Sequence, residues 1–256
     1  MTQSESAAYD RFSQYYDLMV ADRRSHIDFY SGLIESGQVS LADICCGTGA
    51  ITAILAQRLC ELSSGKIHVV GVDGSTGMLD QAARHHAGIE WIRCDLRDIR
   101  VKGEFELVTS MYNSLQHVDL AGLELAFDAM RRITVRGGRL AFDIYKPNLA
   151  YIRIPQANRL ARTVWNEQGE RLEIRENTSF EENMMCLSLD WRLVNPERPD
   201  DLPLAETSLR LWQHQPQDVE RLLRKSGFQI IARYGDLDRQ PYGEAAKKQV
   251  IVCRAI

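Results

Sequence analysis

The sequence has no surplus of positive charge, since 31 lysines and arginines face 35 aspartates and glutamates for a formal net charge of −4. No global basic field exists to hold a polyanionic nucleic acid or an anionic membrane surface, and neither is expected as a partner. No apolar run approaches the roughly 20 residues that span a bilayer. The opening residues 1–6 also lack a basic segment followed by an apolar one, so a cytoplasmic, soluble chain is expected. Six cysteines, at Cys45, Cys46, Cys60, Cys94, Cys186 and Cys253, include no Cys-x-x-Cys pair and have no histidine spaced to join them. No metal is expected. His85-His86 reads as a solvated helix end, because no acid or cysteine is placed to complete a ligand set.

What the sequence does have begins at residues 41–50, where an apolar run collapses into a turn containing Gly47 and Gly49 and then enters a helical pattern. Residues 41–45 read as a buried parallel strand, and the glycines let the backbone turn tightly and approach a ligand. Ile51, Ile54, Leu55, Ala56 and Leu59 recur at helical spacing, so the first N–H groups of that helix face the turn. Residues 67–72 form a second apolar run ending in Asp73, at the interval expected of a ribose-binding carboxylate in a nucleotide-binding βαβ unit. An ionised carboxylate can accept from both ribose hydroxyls.

Two segments, Asp43-Ile44-Cys45-Cys46-Gly47-Thr48-Gly49 and Val72-Asp73-Gly74-Ser75-Thr76-Gly77-Met78-Leu79, resemble the class I S-adenosylmethionine-dependent methyltransferases. In that family the first glycine of the turn usually stands where this chain has Cys45. A nicotinamide dehydrogenase would need a glycine at Thr52. The resemblance implies S-adenosylmethionine as cofactor and S-adenosylhomocysteine as product. It implies cofactor contacts from Tyr16, Asp43, Cys46, Gly47, Gly49, Asp73, Gly74, Met78, Asp95, Leu96 and Met111, with Asp73 on the ribose and Asp95 on the adenine amine. Met78 would lie beside the adenine, and the Leu96 N–H would donate to a ring nitrogen.

A chain of 256 residues suffices for one full core carrying a sizeable insertion. The expected fold is α/β, a Rossmann-like methyltransferase sheet of seven mostly parallel strands with an antiparallel terminal strand and a small inserted antiparallel β lid. Residues 1–160 would hold an N-terminal helical lid and the cofactor-binding core, 161–213 the insertion, and 214–256 the closing helix and strand pair. Tyr9-Asp10 and Tyr15-Tyr16-Asp17-Leu18 resemble the leading segment that closes over cofactor in small-molecule methyltransferases. Ser75 is placed to cap a helix, 89–94 and 105–110 read as strands, and Arg136-Gly137-Gly138-Arg139 reads as a turn into a strand at 140–144. From 161 to 212, alternating stretches separated by turn signals suggest antiparallel hairpins, with Trp165, Trp191, Trp212, Arg192 and Arg210 most able to shape a roof over the acceptor.

Residues 111–118 follow the fourth strand, where open α/β sheets bind ligands. His117 is the candidate general base, with Tyr112 and Asn113 as orienting groups. The Asn or Asp followed by Pro-Pro that marks amino-methylating enzymes of DNA is absent there. The expectation is methyl transfer to a small molecule, at nitrogen first, by a chain that is monomeric or homodimeric. Transfer to oxygen or carbon, and S-adenosylmethionine binding without turnover, stay open as alternatives.

Overall fold

Apolar runs that end in a turn or an acid form the centre of the larger of two sheets. In the computed structural model, which describes residues 3–20 and 22–256, the chain opens with α1 (Gln3–Met19) and α2 (Arg24–Ser31). Met1 and Thr2, part of the opening stretch weighed above for a targeting pattern, and Ala21 lie outside the described residues. Then come β1 (Ser40–Ile44), α3 (Ala50–Leu62), β2 (His68–Asp73), α4 (Thr76–His85), β3 (Glu90–Arg93) and β4 (Phe105–Ser110). A 3₁₀ turn at Ser114–His117 leads to α5 (Leu120–Arg132), β5 (Thr134–Tyr145) and the short α6 (Leu149–Ile152). Four strands follow, β6 (Gln156–Trp165), β7 (Arg171–Glu181), β8 (Cys186–Val194) and β9 (Ala205–Trp212), and the chain ends with α7 (Pro216–Lys225), β10 (Phe228–Tyr234) and β11 (Lys248–Ala255).

The first sheet has the order β10-β11-β5-β4-β1-β2-β3. β1 pairs in parallel with both β2 and β4, whereas β11 runs antiparallel between β5 and β10. The strand order therefore reverses at β1 and β4, the place where such sheets hold ligands at their carboxyl ends. Every residue of β1 is buried, as a strand covered on both faces requires. On one face Phe127, Leu123 and Leu222 of α5 and α7 pack on Phe105 and Leu140; on the other, Phe29, Tyr30, Leu55 and Leu59 of α2 and α3 pack on Leu41 and Val252. Each such side chain contributes about 1.5–3 kcal/mol on burial.

Two boundaries differ from the sequence reading. β5 starts at Thr134, ahead of the glycine pair, and its pairing with β4 jumps from Phe105↔Thr134 to Leu107↔Arg139. Gly137, at φ +80°, supplies the left-handed residue of this wide bulge, so the pair bends a strand rather than starting one. β6 starts at Gln156; its residues are largely exposed, and two register shifts against β7 erase the alternation that marks a strand.

The strands β6-β7-β8-β9 form a separate antiparallel sheet. Its inner side chains Leu172, Ile174, Leu193 and Ala205 pack on Phe12 and Met19 of α1. The helix is thus sandwiched between this sheet and the turn after β1. Among the described residues no helix is long and apolar enough to cross a membrane.

Candidate active site

The turn after β1 contains three left-handed residues, Cys45 (φ +60°), Gly47 (φ +58°) and Gly49 (φ +74°). At Cys45 that conformation costs about 1–2 kcal/mol, which a glycine would avoid. The two turn glycines differ in what they make room for. A Cβ on Gly47 would stand 3.7 Å from Tyr16 Cε1, on the side of a small enclosed space. A Cβ on Gly49 would lie 2.4 Å from Cη2 of Trp91, and one on Gly71 would lie 2.2 Å from its Cζ3. Gly49 and Gly71 therefore accommodate an indole; Gly47 leaves the ligand side bare.

Asp73 ends β2 with its carboxylate turned to the same turn. Its Oδ2 accepts from the Gly47 N–H at 2.9 Å and its Oδ1 from the Ser75 N–H at 2.8 Å. Burial pushes its pKa up against these backbone hydrogen bonds. Ser75 caps α4 as expected, its Oγ accepting from the Met78 N–H at 3.1 Å.

Helix α1 crosses this turn and is tied down at two points. Asp10 Oδ1 accepts from the Ser75 hydroxyl at 2.6 Å and from the Gly77 N–H at 2.8 Å, which places a carboxylate at the N-terminus of α4, where the helix dipole favours it. Gly77 allows this approach, since a Cβ there would be 2.9 Å from the Asp10 backbone. Asp17 Oδ1 accepts from the Thr48 hydroxyl at 2.7 Å and from Arg23 at 2.5 Å.

Between α1 and the sheet lies an enclosed space of about 30 Å³, lined by Tyr9, Tyr16, Cys45, Gly47, Asp73, Met78, Tyr112, Ser114 and His117. No lysine or arginine is among these lining residues. His117 is buried, and its Nε2 lies 2.9 Å from the Tyr9 hydroxyl. Burial pulls its pKa down to about 4, with the Arg210 backbone pushing weakly the other way. Its imidazole is neutral throughout the physiological range. Among the described residues the buried hydroxyl of Tyr112 has no hydrogen-bond partner. Gln116 anchors the segment between them, accepting from the Tyr145 N–H at 3.0 Å and donating to the Trp212 carbonyl at 3.0 Å.

Of the residues expected to meet a cofactor, Tyr16, Gly47, Asp73 and Met78 converge on this space. Three turn away. Asp43 is sealed in the core, its oxygens accepting from Thr52 at 2.6 Å and Thr109 at 2.8 Å, and burial raises its pKa to about 7. The Cys46 sulfur folds under the turn, where a Cβ on Gly71 would meet it at 3.0 Å. Met111 packs in the core with Phe29 and Tyr30. Asp95 stands half-exposed at the end of β3; burial opposes its ionisation, but Arg97, donating at 2.6 Å, holds its pKa near 2. Leu96 beside it is a core residue. Gly74 and Asn113 do not line the space; the Gly74 carbonyl accepts from Arg93 at 3.3 Å. Sequence reading did not single out Cys45 or Ser114 as lining residues, and it saw Tyr9 only as part of the leading pattern.

The five residues expected to shape a roof do not reach the enclosed space. Trp191, Trp212, Arg192 and Arg210 border a separate, more open groove of about 920 Å³ along β8 and β9, and Trp165 is 61% exposed. The groove is larger, but the glycine turn, Asp73 and the buried unpartnered hydroxyl belong to the smaller space. The smaller space is therefore the candidate site. Among the described residues no group of histidine, cysteine or acidic side chains is arranged to hold a metal ion.

Residues 41–138 match the family described as a methyltransferase domain. Over 96 residues the chain is 32% identical to trans-aconitate 2-methyltransferase of Pseudomonas paraeruginosa, a match covering 38% of this chain and 31% of that protein. The chain matches less than half the length of its curated relatives. The amino pentose methyltransferase CalS10 of Micromonospora echinaspora, solved with S-adenosylmethionine bound, superposes with a TM-score of 0.72 at 16% identity over 96% of both chains. The sugar N-methyltransferase KedS8 of Streptoalloteichus sp. superposes with a TM-score of 0.63 at 17% identity, covering 99% of this chain and 87% of that one. At these identities the structural likeness is one of fold. The match at 41–138 covers a methyltransferase domain, and with its glycine turn and strand order the chain has the fold of the S-adenosylmethionine-dependent methyltransferases.

Proposed function

We propose that the protein transfers the methyl group of S-adenosylmethionine to a nitrogen of a small molecule. The observation that carries the choice of nitrogen is the lining of the enclosed space, which has tyrosines, a neutral histidine and no cationic side chain. A carboxylate acceptor would call for a lysine or arginine, and a phenol for a stronger base than an imidazole with a pKa near 4. A neutral amine needs neither. The residues present suit the cofactor: Gly47 offers bare backbone, and Asp73 keeps lone pairs for a ribose diol beyond the two amides it holds. The bound cofactor supplies the electrophilic methyl group. The chain aligns the acceptor and excludes water, with Tyr9, Tyr112 and His117 as the hydrogen-bonding groups nearest it. The names of the two structural neighbours, an amino pentose methyltransferase and a sugar N-methyltransferase, support the same reading.

Native mass spectrometry of the purified protein tests the cofactor by copurified S-adenosylhomocysteine. Labelled S-adenosylmethionine offered with small amines, phenols and carboxylic acids tests the acceptor atom. Label moving only into phenols or acids would overturn the choice of nitrogen. Within this reading, His117→Gln should lower kcat by less than about tenfold at neutral pH, because alignment suffices for a neutral amine. The pH–rate profile should keep its shape above about pH 5, since an imidazole with a pKa of about 4 is already deprotonated there. A loss of about 100-fold that higher pH restores would instead make His117 a general base.

We also propose that α1 is a lid. Nucleoside-sized ligands occupy pockets of roughly 300 Å³ or more, far beyond the 30 Å³ enclosed here, so the helix must yield to admit one. Each aspartate clasp should contribute about 1 kcal/mol. Asp10→Ala with Asp17→Ala should accordingly raise the opening equilibrium of α1 roughly thirtyfold, read as faster amide exchange in α1 with the exchange in β1 unchanged. Equal α1 exchange in variant and parent would remove the clasps from the account.

A further inference from the structure

Tyr112 and Asn113 are adjacent non-glycine residues, and both stand in the left-handed region at φ +56° and +61°. Such a pair persists only where its surroundings over-determine it. Asp143 on β5 receives both of its amides: Oδ1 accepts from the Tyr112 N–H at 3.2 Å, and the Asp143 carbonyl accepts from the Asn113 N–H at 3.2 Å. The same Oδ1 accepts from the Tyr30 hydroxyl at 3.0 Å and lies 3.4 Å from His26 Nε2. Oδ2 accepts from Lys248 Nζ at 2.6 Å. The His26 ring lies against that of Tyr112 with centroids 3.8 Å apart and planes 20° from parallel.

The pair lies in the interior, with the Asp143 side chain at 0% exposure and that of Lys248 at 13%. Burial opposes the ionisation of each, and each holds the other charged. A buried ion pair is a poor means to stability, since apolar residues of similar volume do as well or better. What it supplies here is a fixed, ionised acceptor directly behind a strained backbone. A simpler role is a staple between β5 and β11, which pair in register at Asp143↔Val250. A staple would not require both loop amides to end on Asp143.

We infer that Asp143 and Lys248 are positioning residues, which hold the Tyr112–Asn113 backbone so that the Tyr112 ring and hydroxyl face the enclosed space. Calling that space the methyl-transfer site rests on the proposed function; the positioning itself does not. The test labels the protein with 3-fluorotyrosine, assigns Tyr112 by Tyr112→Phe, and follows its fluorine resonance together with amide exchange at residues 112 and 113. In the wild type both amides should exchange at least about 100-fold more slowly than free loop. Asp143→Leu with Lys248→Met removes both charges and the acceptor of the Tyr112 N–H, while the main-chain carbonyl that accepts from Asn113 remains; it should displace the Tyr112 resonance and abolish the protection of the Tyr112 amide while Val252 and Cys253 stay protected. Asp143→Asn with Lys248→Met keeps an acceptor oxygen for Tyr112 and should restore the resonance.

A staple would affect both double variants alike and leave Tyr112 in place, and that result overturns the inference. Free-loop exchange in the wild type overturns it as well, without any variant having to fold. S-adenosylhomocysteine titrated into the wild type is the separate arm. Absence of binding there refutes the proposed function, while the resonance and the exchange rates still decide the positioning.

Discussion

Gly49→Ala is expected to destabilise the fold by about 2–5 kcal/mol, a large share of the roughly 5–15 kcal/mol that holds a domain together. Two separate causes contribute. Residue 49 stands at φ +74°, where alanine is strained, and its new methyl would be 2.4 Å from the Trp91 indole. The overlap cannot be relieved by a flexible tip, because the ring is held by the bond from its Nε1 to the His86 carbonyl at 3.2 Å. Combining Gly49→Ala with Trp91→Leu should therefore destabilise by less than the two single changes added together, with a coupling of about 1 kcal/mol or more. Urea unfolding of the four proteins measures it. Strict additivity would show that the indole is not what requires glycine there.

Asp73→Ala should weaken S-adenosylhomocysteine binding by about 100-fold or more. Losing one charge-assisted hydrogen bond to the ribose alone accounts for about 1.5–3 kcal/mol, or roughly ten- to a hundredfold. The structure adds a second loss, because the Gly47 and Ser75 amides would be stripped of their acceptor and the glycine turn of its shape. Asp95→Ala should be the milder change, since that carboxylate is half-exposed and already engaged by Arg97. Titration calorimetry on both variants ranks them. Unchanged affinity in Asp73→Ala would end the assignment of that carboxylate to the ribose.

The parallel core was legible because strands buried on both faces carry adjacent apolar residues instead of alternating ones, as Leu41-Ala42, Val69-Val70 and Leu107-Val108 do in β1, β2 and β4. Their turns were legible because glycine and an acid at a strand end have few other uses. Side-chain direction was not. Asp43 and Met111 stand where the resemblance implied cofactor contacts, yet they face the core, and the Cys46 sulfur folds toward Gly71; only the folded backbone shows it. Trp91 read as one more apolar strand residue; that it sets the requirement for glycine at 49 and 71 depends on the pairing of β2 with β3. Lys248 lies 105 residues from Asp143, and no periodicity links positions that far apart. The aspartates of the leading Tyr-Asp pattern were visible as letters, while their partners Ser75 and Thr48 were visible only as a cap and a turn residue.

The sandwiching of α1 between the four-stranded sheet and the glycine turn has a kinetic consequence. With α1 as the proposed lid, the same helix that carries Tyr9 and Tyr16 would cover the entrance, and cofactor would associate no faster than the helix departs, whatever its concentration. Association would then saturate instead of rising linearly to the diffusion limit. Substitutions on the sheet face that touches Phe12 and Met19, remote from any reacting atom, would change turnover by altering how long the helix stays away.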